Sequence, residues 1–562
     1  MKRIILFASF IMATCLYMWA GPISKQQAQQ KAASFLLHLK AADPSHPRRI
    51  VKQTQSLTDA NVETSAFYIF NIGEADGFVI VSGDDRTEAI LGYAETGSFD
   101  MDKAPENMKA WLKEYERQLT WLQTTNKANG ALAPRRASRA NISPMTTSLW
   151  AQNKPYNLYC YNETGKWYAV TGCVATAMAQ IMYYHKWPQQ TSSVIPAYTI
   201  NYSGSSSFSY TWEEQPITQF NWATMQDSYN SANNLTPSTA TAAEKAVAKL
   251  MRCCGQSVQM KYSNIQSGAS SQDACTAFRK YFGYDEDTRF VQRNDYGTED
   301  WEELIYNELS HQRPVLYSGQ TAGGAGHAFV VDGYKDGMYS INWGWGSYCN
   351  GYYLLDMLDP EDEGQTGSAS GPYNYGQDAI IGIQKPDGID DVDKRLTIQK
   401  FTTDPNYYYQ VSYKLANKCG IEGNYDYAVV AINQYGSVKK VLTEIGTNVS
   451  FSVTTTRWGT AMPERERTDK EEYVITMGCK QTGESVYQPC IGWEDYRLTA
   501  QPDPYYTNTF IITEYTEDGS VTGIRSIPSV HDNDIYYNMN GQRVNQPTRG
   551  IYIKNGKKVF VE

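Results

Sequence analysis

The chain has 562 residues, 41% hydrophobic and 20% charged, with 43 tyrosines and a net charge of −10. At roughly 100–200 residues per domain, this length implies three or four domains with ordinary cores. The acidic balance argues against a basic phosphate-binding face, and so against a nucleic-acid partner. The tyrosines point to abundant β structure, because the ring is buried while the hydroxyl reaches water.

Lys2 and Arg3 precede an apolar run from Ile4 to Trp19 that closes on Ala20 and Gly21. This is the layout of a secretory signal peptide over residues 1–21, with an apolar core too short to span a bilayer. No later stretch has the ~18 uninterrupted apolar residues of a transmembrane helix. Signal removal would take Cys15 and leave nine of the ten cysteines, an odd number, so at least one thiol stays unpaired. Cys253 and Cys254 are adjacent and no pair of C-x-x-C clusters exists, so neither a metal nor a cofactor is expected. Cys479 and Cys490 are a candidate disulfide.

Residues 22–141 comprise a first domain and a linker. A helix is predicted from Lys25 to Lys40. A strand at Phe67–Ile72 and a second at Phe78–Val81, joined by a turn at Asp76-Gly77, predict a hairpin. A second helix is predicted from Pro105 to Thr125, with Trp111, Leu112, Tyr115, Leu119 and Leu122 near helical spacing. The stretch from Asn129 to Ser143 is small, basic and aperiodic, with Arg135, Arg136 and Arg139. It reads equally as a plain linker or as an activation site, since exposed linkers are where proteolysis concentrates. A larger domain occupies 142–388. Beyond it, Tyr409, Val411, Tyr413 and Leu415 alternate with polar residues, as do Val449, Phe451 and Val453. Period two predicts half-buried strands and a β-sandwich-like domain over 389–525. A small β module follows at 526–562, with Asn540-Gly541 and Asn555-Gly556 turns.

The chemistry concentrates in the larger domain. From Thr171 the sequence reads T-G-C-V-A-T-A-M-A-Q-I-M, with Val174, Met178, Ile181 and Met182 on one helical face and Pro188 beyond the end. Cys173 therefore sits in the first turn of a buried helix, where unpaired N–H groups favour a thiolate. A small buried core cysteine is the plain alternative. A thiolate nucleophile needs a base, and the chain has six histidines. His38 and His46 lie in the first domain, His311 after a predicted helix at Trp301–Leu309, and His531 in the tail. His185 is on the same helix as Cys173, roughly 18 Å along it at 1.5 Å per residue. His327 remains. It follows Gly323-Gly324-Ala325-Gly326 and opens a predicted buried strand, A-F-V-V-D-G. If 328–333 and 338–343 form a hairpin, Asn342 and Trp343 return near His327. There a polar group can fix the imidazole tautomer and an indole can exclude water.

These strings resemble the streptopain family of papain-like cysteine peptidases: T-G-C-V-A-T-A-M-A-Q-I-M at Cys173, G-G-A-G-H-A-F-V-V-D-G at His327, I-N-W-G-W-G from Ile341, A-Q-N-K-P-Y-N from Ala151 and G-F-V-I-V-S-G-D from Gly77. The resemblance covers about 22–388. It implies an α+β fold, with a papain-like catalytic domain behind an N-terminal α/β inhibitory prodomain. It makes Cys173 the nucleophile, His327 the family histidine and Gln152 the oxyanion-hole glutamine, with Asn342 or Trp343 orienting His327. It also implies a zymogen cleaved between about 130 and 146, protein or peptide substrates with a bulky apolar residue two positions before the scissile bond, and a mobile loop at Gly364–Gln377 beside the cleft. The last segment resembles C-terminal modules of exported Bacteroidetes-type proteins. It reads equally as a sorting or cell-surface attachment device and as a β repeat without that role. The expectation is a secreted or cell-surface cysteine endopeptidase. A Cys–His acyltransferase of transglutaminase type and a non-enzymatic surface adhesin stand as alternatives.

Overall fold

The computed structural model describes residues 21–42, 57–124, 139–203, 207–231, 234–320, 326–355, 377–390, 392–404, 406–465 and 470–515, and the strands of a C-terminal sheet after 536. The signal segment, His46, Arg135 and Arg136, Gly323–Ala325, most of the loop at 364–377 and His531 lie outside them. The chain divides into two compact units, Met1–Val392 and Asp393–Glu562.

In chain order, the first unit holds α1 (Lys25–Ala42), β1 (Leu57–Asp59), β2 (Phe67–Ile72), β3 (Phe78–Ser82), β4 (Ile90–Ala94) and α2 (Glu106–Thr124). A short hairpin, β5 (Tyr161–Asn162) and β6 (Trp167–Tyr168), leads into α3 (Cys173–His185). Next come the hairpin β7 (Tyr198–Tyr202) and β8 (Phe208–Trp212), then α4 (Ala242–Ser257), α5 (Ser271–Phe282), β9 (Arg289–Gln292) and α6 (Thr298–Ser310). The unit ends with β10 (Val315–Gln320), β11 (Gly326–Lys335), β12 (Met338–Asn342), β13 (Gly351–Tyr353) and β14 (Asp378–Ile381). The predicted helices and hairpins are present, most ends shifted by one or two residues, while α6 starts three residues before the predicted Trp301.

One ten-stranded sheet runs β1-β2-β3-β4-β13-β12-β11-β10-β14-β9. The first segment of the chain therefore continues the sheet of the later segment. The seam is the β4–β13 pair, with Tyr352 opposite Tyr93 and Tyr353 opposite Gly92. A Cβ on Gly92 would lie 2.4 Å from the Tyr353 ring, so this crossing needs glycine. The α2 stripe of Trp111, Leu112, Tyr115, Leu119 and Leu122 is buried in a core shared with Tyr317, Phe329 and Trp343. The Trp111 ring stands edge-on to Tyr317, Phe329 and Trp343, with centroids 6.1, 5.6 and 6.3 Å away. The Tyr115 hydroxyl donates to the Leu354 carbonyl at 2.6 Å. α3 is buried from Val174 to Tyr183 and ends at Lys186, whose φ of 48° is left-handed.

In the second unit, strands Thr397–Thr403, Val411–Ala416 and Thr456–Ala461 form one sheet. Val438–Phe451, Gly423–Ile432, Tyr473–Gln481, Leu498–Pro502 and Phe510–Glu514 form a second. Val411, Tyr413 and Leu415 share a core with Val429, Ile475, Met477 and Phe510 of the other sheet, the arrangement of a β-sandwich. Four short strands between Tyr536 and Val561 make a separate small sheet.

Candidate active site

Gly172 precedes α3 with φ 87°, and a Cβ there would lie 2.6 Å from Met260 Sδ. Only glycine delivers the next residue to the helix mouth at this angle. Cys173 is the first residue of α3 and is only partly exposed. Its Sγ accepts from the Ala328 N–H at 3.4 Å. Burial pushes the thiol up, while the N–H groups of Ala328, Val174 and Cys173 itself pull it back. The Thr171 N–H donates to the Gln152 carbonyl at 3.1 Å, which ties Gln152 to the residue two positions before Cys173. Gln152 is buried.

His327 lies on β11 opposite Gly319 of β10 and next to the residue that holds Cys173. No hydrogen bond joins its ring to Cys173 among the described residues. Side chains alternate along a strand, so His327 shares its side with Phe329, which meets Trp111, while Ala328 has the opposite side. Burial lowers the His327 pKa, and the nearby Glu106 carboxylate raises it. The neighbouring Asn107, buried in the first turn of α2, donates to the Trp343 carbonyl at 2.8 Å and the Ala328 carbonyl at 3.4 Å. The N-terminus of α2 therefore occupies the ground around His327. Sequence reasoning missed Glu106 and Asn107. They sit in the predicted helix, but nothing local distinguishes them from ordinary first-turn polar residues.

Asn342 goes elsewhere. Its amide donates to the Ser148 carbonyl at 2.8 Å and the Thr146 hydroxyl at 3.3 Å, and its oxygen accepts from Gly344 N–H at 3.2 Å. The register explains this. Asn342 pairs with Val330 and so shares the face of Val330, three residues from His327 and of opposite parity. Trp343 is buried, donating from Nε1 to the Cys349 carbonyl at 2.9 Å, with its ring 4.8 Å from that of Phe329.

The other described histidines are far from this chemistry. His38 and His311 are exposed and bond to main-chain carbonyls of their own helices. His185 closes the far end of α3, with Nδ1 3.3 Å from the Tyr284 hydroxyl. Burial pushes its pKa from 6.5 down to about 4. The folded form thus holds it neutral, while the unfolded chain takes up a proton as pH falls through the unfolded value. Its contribution to stability is complete above pH 6.5 and is lost as pH falls towards 4. Wild type should lose roughly 2 kcal/mol between pH 7 and 5 that His185→Gln does not lose. Urea unfolding of both proteins at the two pH values checks this, and equal losses would contradict it.

The candidate disulfide is not formed: Cys479 and Cys490 are both buried free thiols. No helix among the described residues is long and apolar enough to cross a membrane.

Two families and several known proteins match the chain. The peptidase C10 family matches residues 150–353, and the Spi protease inhibitor family matches residues 20–119. The chain is similar to the thiol protease/hemagglutinin PrtT of Porphyromonas gingivalis, 33% identical over 405 residues, which covers 68% of this chain and 44% of that protein. The chain thus spans less than half the length of that relative. It is also similar to streptopain of Streptococcus pyogenes, 35% identical over 344 residues, which covers 57% of this chain and 81% of streptopain. Among solved structures, a fragment of prointerpain A from Prevotella intermedia is 31% identical, with a TM-score of 0.48, covering 58% of this chain and 98% of the fragment.

Proposed function

The chain belongs to the peptidase C10 family of thiol proteases, and from that premise we propose that Cys173 and His327 carry its peptide hydrolysis, with residues 22–141 holding an intramolecular inhibitor and its activation linker. The observation that carries this reading is the Cys173 Sγ, set in the first turn of a buried helix and held by the amide next to His327. The Cys173 thiolate attacks the scissile carbonyl carbon, forming a C–S bond as the carbonyl electrons move to oxygen. The Cys173 N–H and the Gln152 side-chain amide stabilise that oxyanion. Protonated His327 gives its proton to the leaving amine as the C–N bond breaks. The neutral ring then takes a proton from water, which attacks the thioester and regenerates the thiolate. Trp343 shields this pair from water, and Asn342 acts through the loop it holds at Gly344.

In the precursor, burial disfavours the thiolate, and Asn107 and Glu106 of α2 occupy the side of β11 on which His327 lies. Removing the prosegment frees the imidazole to settle against Cys173. The run at residues 1–21 supports export, and the module at 526–562 supports retention at the cell surface.

Product analysis tests the reading. Matured, reduced enzyme is incubated with casein, and the products are sequenced by mass spectrometry. New free carboxyl and amino ends are expected. Isopeptide-linked products with release of ammonia would replace the peptidase by an acyltransferase. Intact casein would leave the β domains of an adhesin as the chain's activity.

A further inference from the structure

Residues 139–148 follow the inhibitory segment in sequence, yet they are fastened to the peptidase body. Arg139 pairs with Glu303 at 2.9 Å and lies over the Tyr306 ring of α6, whose hydroxyl donates to the Ala140 carbonyl at 3.0 Å. Asn141 Oδ1 accepts from the Asp336 N–H at 3.0 Å. Ile142 and Tyr334 exchange two main-chain bonds of 2.7 and 2.8 Å, and the Met145 N–H donates to the Asp332 carbonyl at 3.0 Å. Ser148 is fully buried, donating to Gln180 of α3 at 3.2 Å and accepting from Asn342 at 2.8 Å. Among the described residues, every hydrogen bond and ion pair made by 139–148 across the chain goes to residues beyond 150, and none to the inhibitory segment.

The fastening point is a buried carboxylate. Asp332 is 1% exposed, and its Oδ2 accepts from both the N–H and the hydroxyl of Thr146, the former at 2.9 Å. A buried charge is costly unless it is hydrogen-bonded, so these donors matter more than a surface pair would. β11 has a register shift between Val331 and Gly333. At Gly333 a Cβ would lie 2.9 Å from the Ile142 carbonyl oxygen, so the missing side chain is the space in which the segment lies. Asp332 is on the same strand as His327, five residues along, and Asn342 opposite Val330 holds the other end of the segment.

The geometry points to 139–148 as a permanent strap of the mature peptidase, which stays after the prosegment leaves and, through Thr146 on Asp332, positions β11 and its His327. This inference rests on the Cys173/His327 reading and deepens it. Thr146 and Asp332 are positioning residues, since neither touches the reacting atoms.

Full-length chains carrying Thr146→Val or Thr146→Ser test it. They are matured, and their active sites are counted with a thiol-directed covalent inhibitor. Val keeps the shape and loses the hydroxyl. It should lower kcat per titrated site by about tenfold with KM little changed, because small misplacements of a catalytic group cost that much or more. Ser should restore kcat. A merely structural role would lower the yield of titratable enzyme and leave kcat per site intact, and that result overturns the strap. A second readout needs no activity. Digestion of full-length Cys173→Ala with a protease of broad specificity should leave a resistant body that begins at or before Asn141. A body that begins after Ser148 overturns the inference. An inert wild type whose resistant body still begins by Asn141 would sink the catalytic reading and leave the strap standing as a structural element.

Discussion

Trp111→Ala should loosen the prosegment and make Cys173 reactive in the uncleaved precursor. The indole is 5% exposed, and its ring contacts with Tyr317, Phe329 and Trp343 all reach across from α2 to the peptidase part of the shared core. Among the described residues its Nε1 has no hydrogen-bond partner, so truncation loses packing alone. Removing a buried Trp side chain costs about 3–5 kcal/mol. At 1.4 kcal/mol per tenfold, the prosegment's hold weakens by ~100-fold or more. Asn107 and Glu106 lie at the start of the same helix, so release of α2 uncovers His327 and the thiol together. The measurement is the rate of iodoacetamide alkylation of Cys173 in intact precursor, wild type beside variant, with thermal unfolding followed in parallel. Faster alkylation with a lower melting temperature is expected. An unchanged alkylation rate would mean that α2 does not restrain the site.

Cys173→Ala should abolish hydrolysis and leave the fold intact. Loss of the attacking atom removes the covalent route, and losses of ~10,000-fold or more follow when a nucleophile is deleted. The stability cost is small by comparison. The thiol is partly exposed and its bond from the Ala328 N–H is long, 3.4 Å, and Ala suits a helix. The melting temperature should therefore stay close to wild type, which separates loss of chemistry from loss of structure.

The hairpins and helices were legible because their signals are local. The spacing of Trp111, Leu112, Tyr115, Leu119 and Leu122 places α2, and Asp336-Gly337 between two apolar runs places β11 and β12. The place of Cys173 at the start of a buried helix followed from Gly172 and the apolar periodicity after it. What sequence could not show depends on pairing between distant segments. The β4–β13 seam, which makes two expected domains share one sheet, joins Tyr93 to Tyr352, and no local pattern marks it. The side on which His327 lies follows from strand parity, but which partner covers that side emerges only with α2 in place. The same parity sends Asn342 to Ser148, although a hairpin seen only as a hairpin brings it near the histidine. Asp332 falls within the predicted strand 328–333, where nothing local says what its carboxylate meets; it is buried because the 139–148 segment closes over it.

The most direct test of the catalytic assignment is a time course of the purified, reduced, full-length precursor, wild type beside Cys173→Ala, with fragment masses and casein hydrolysis followed together. If Cys173 is the nucleophile, wild type shortens ahead of Arg139 and gains activity. The variant, cleaved by added wild-type enzyme to the same mass and then separated from it, stays inert. A separated Cys173→Ala enzyme that hydrolyses casein at the wild-type rate would remove Cys173 from the chemistry.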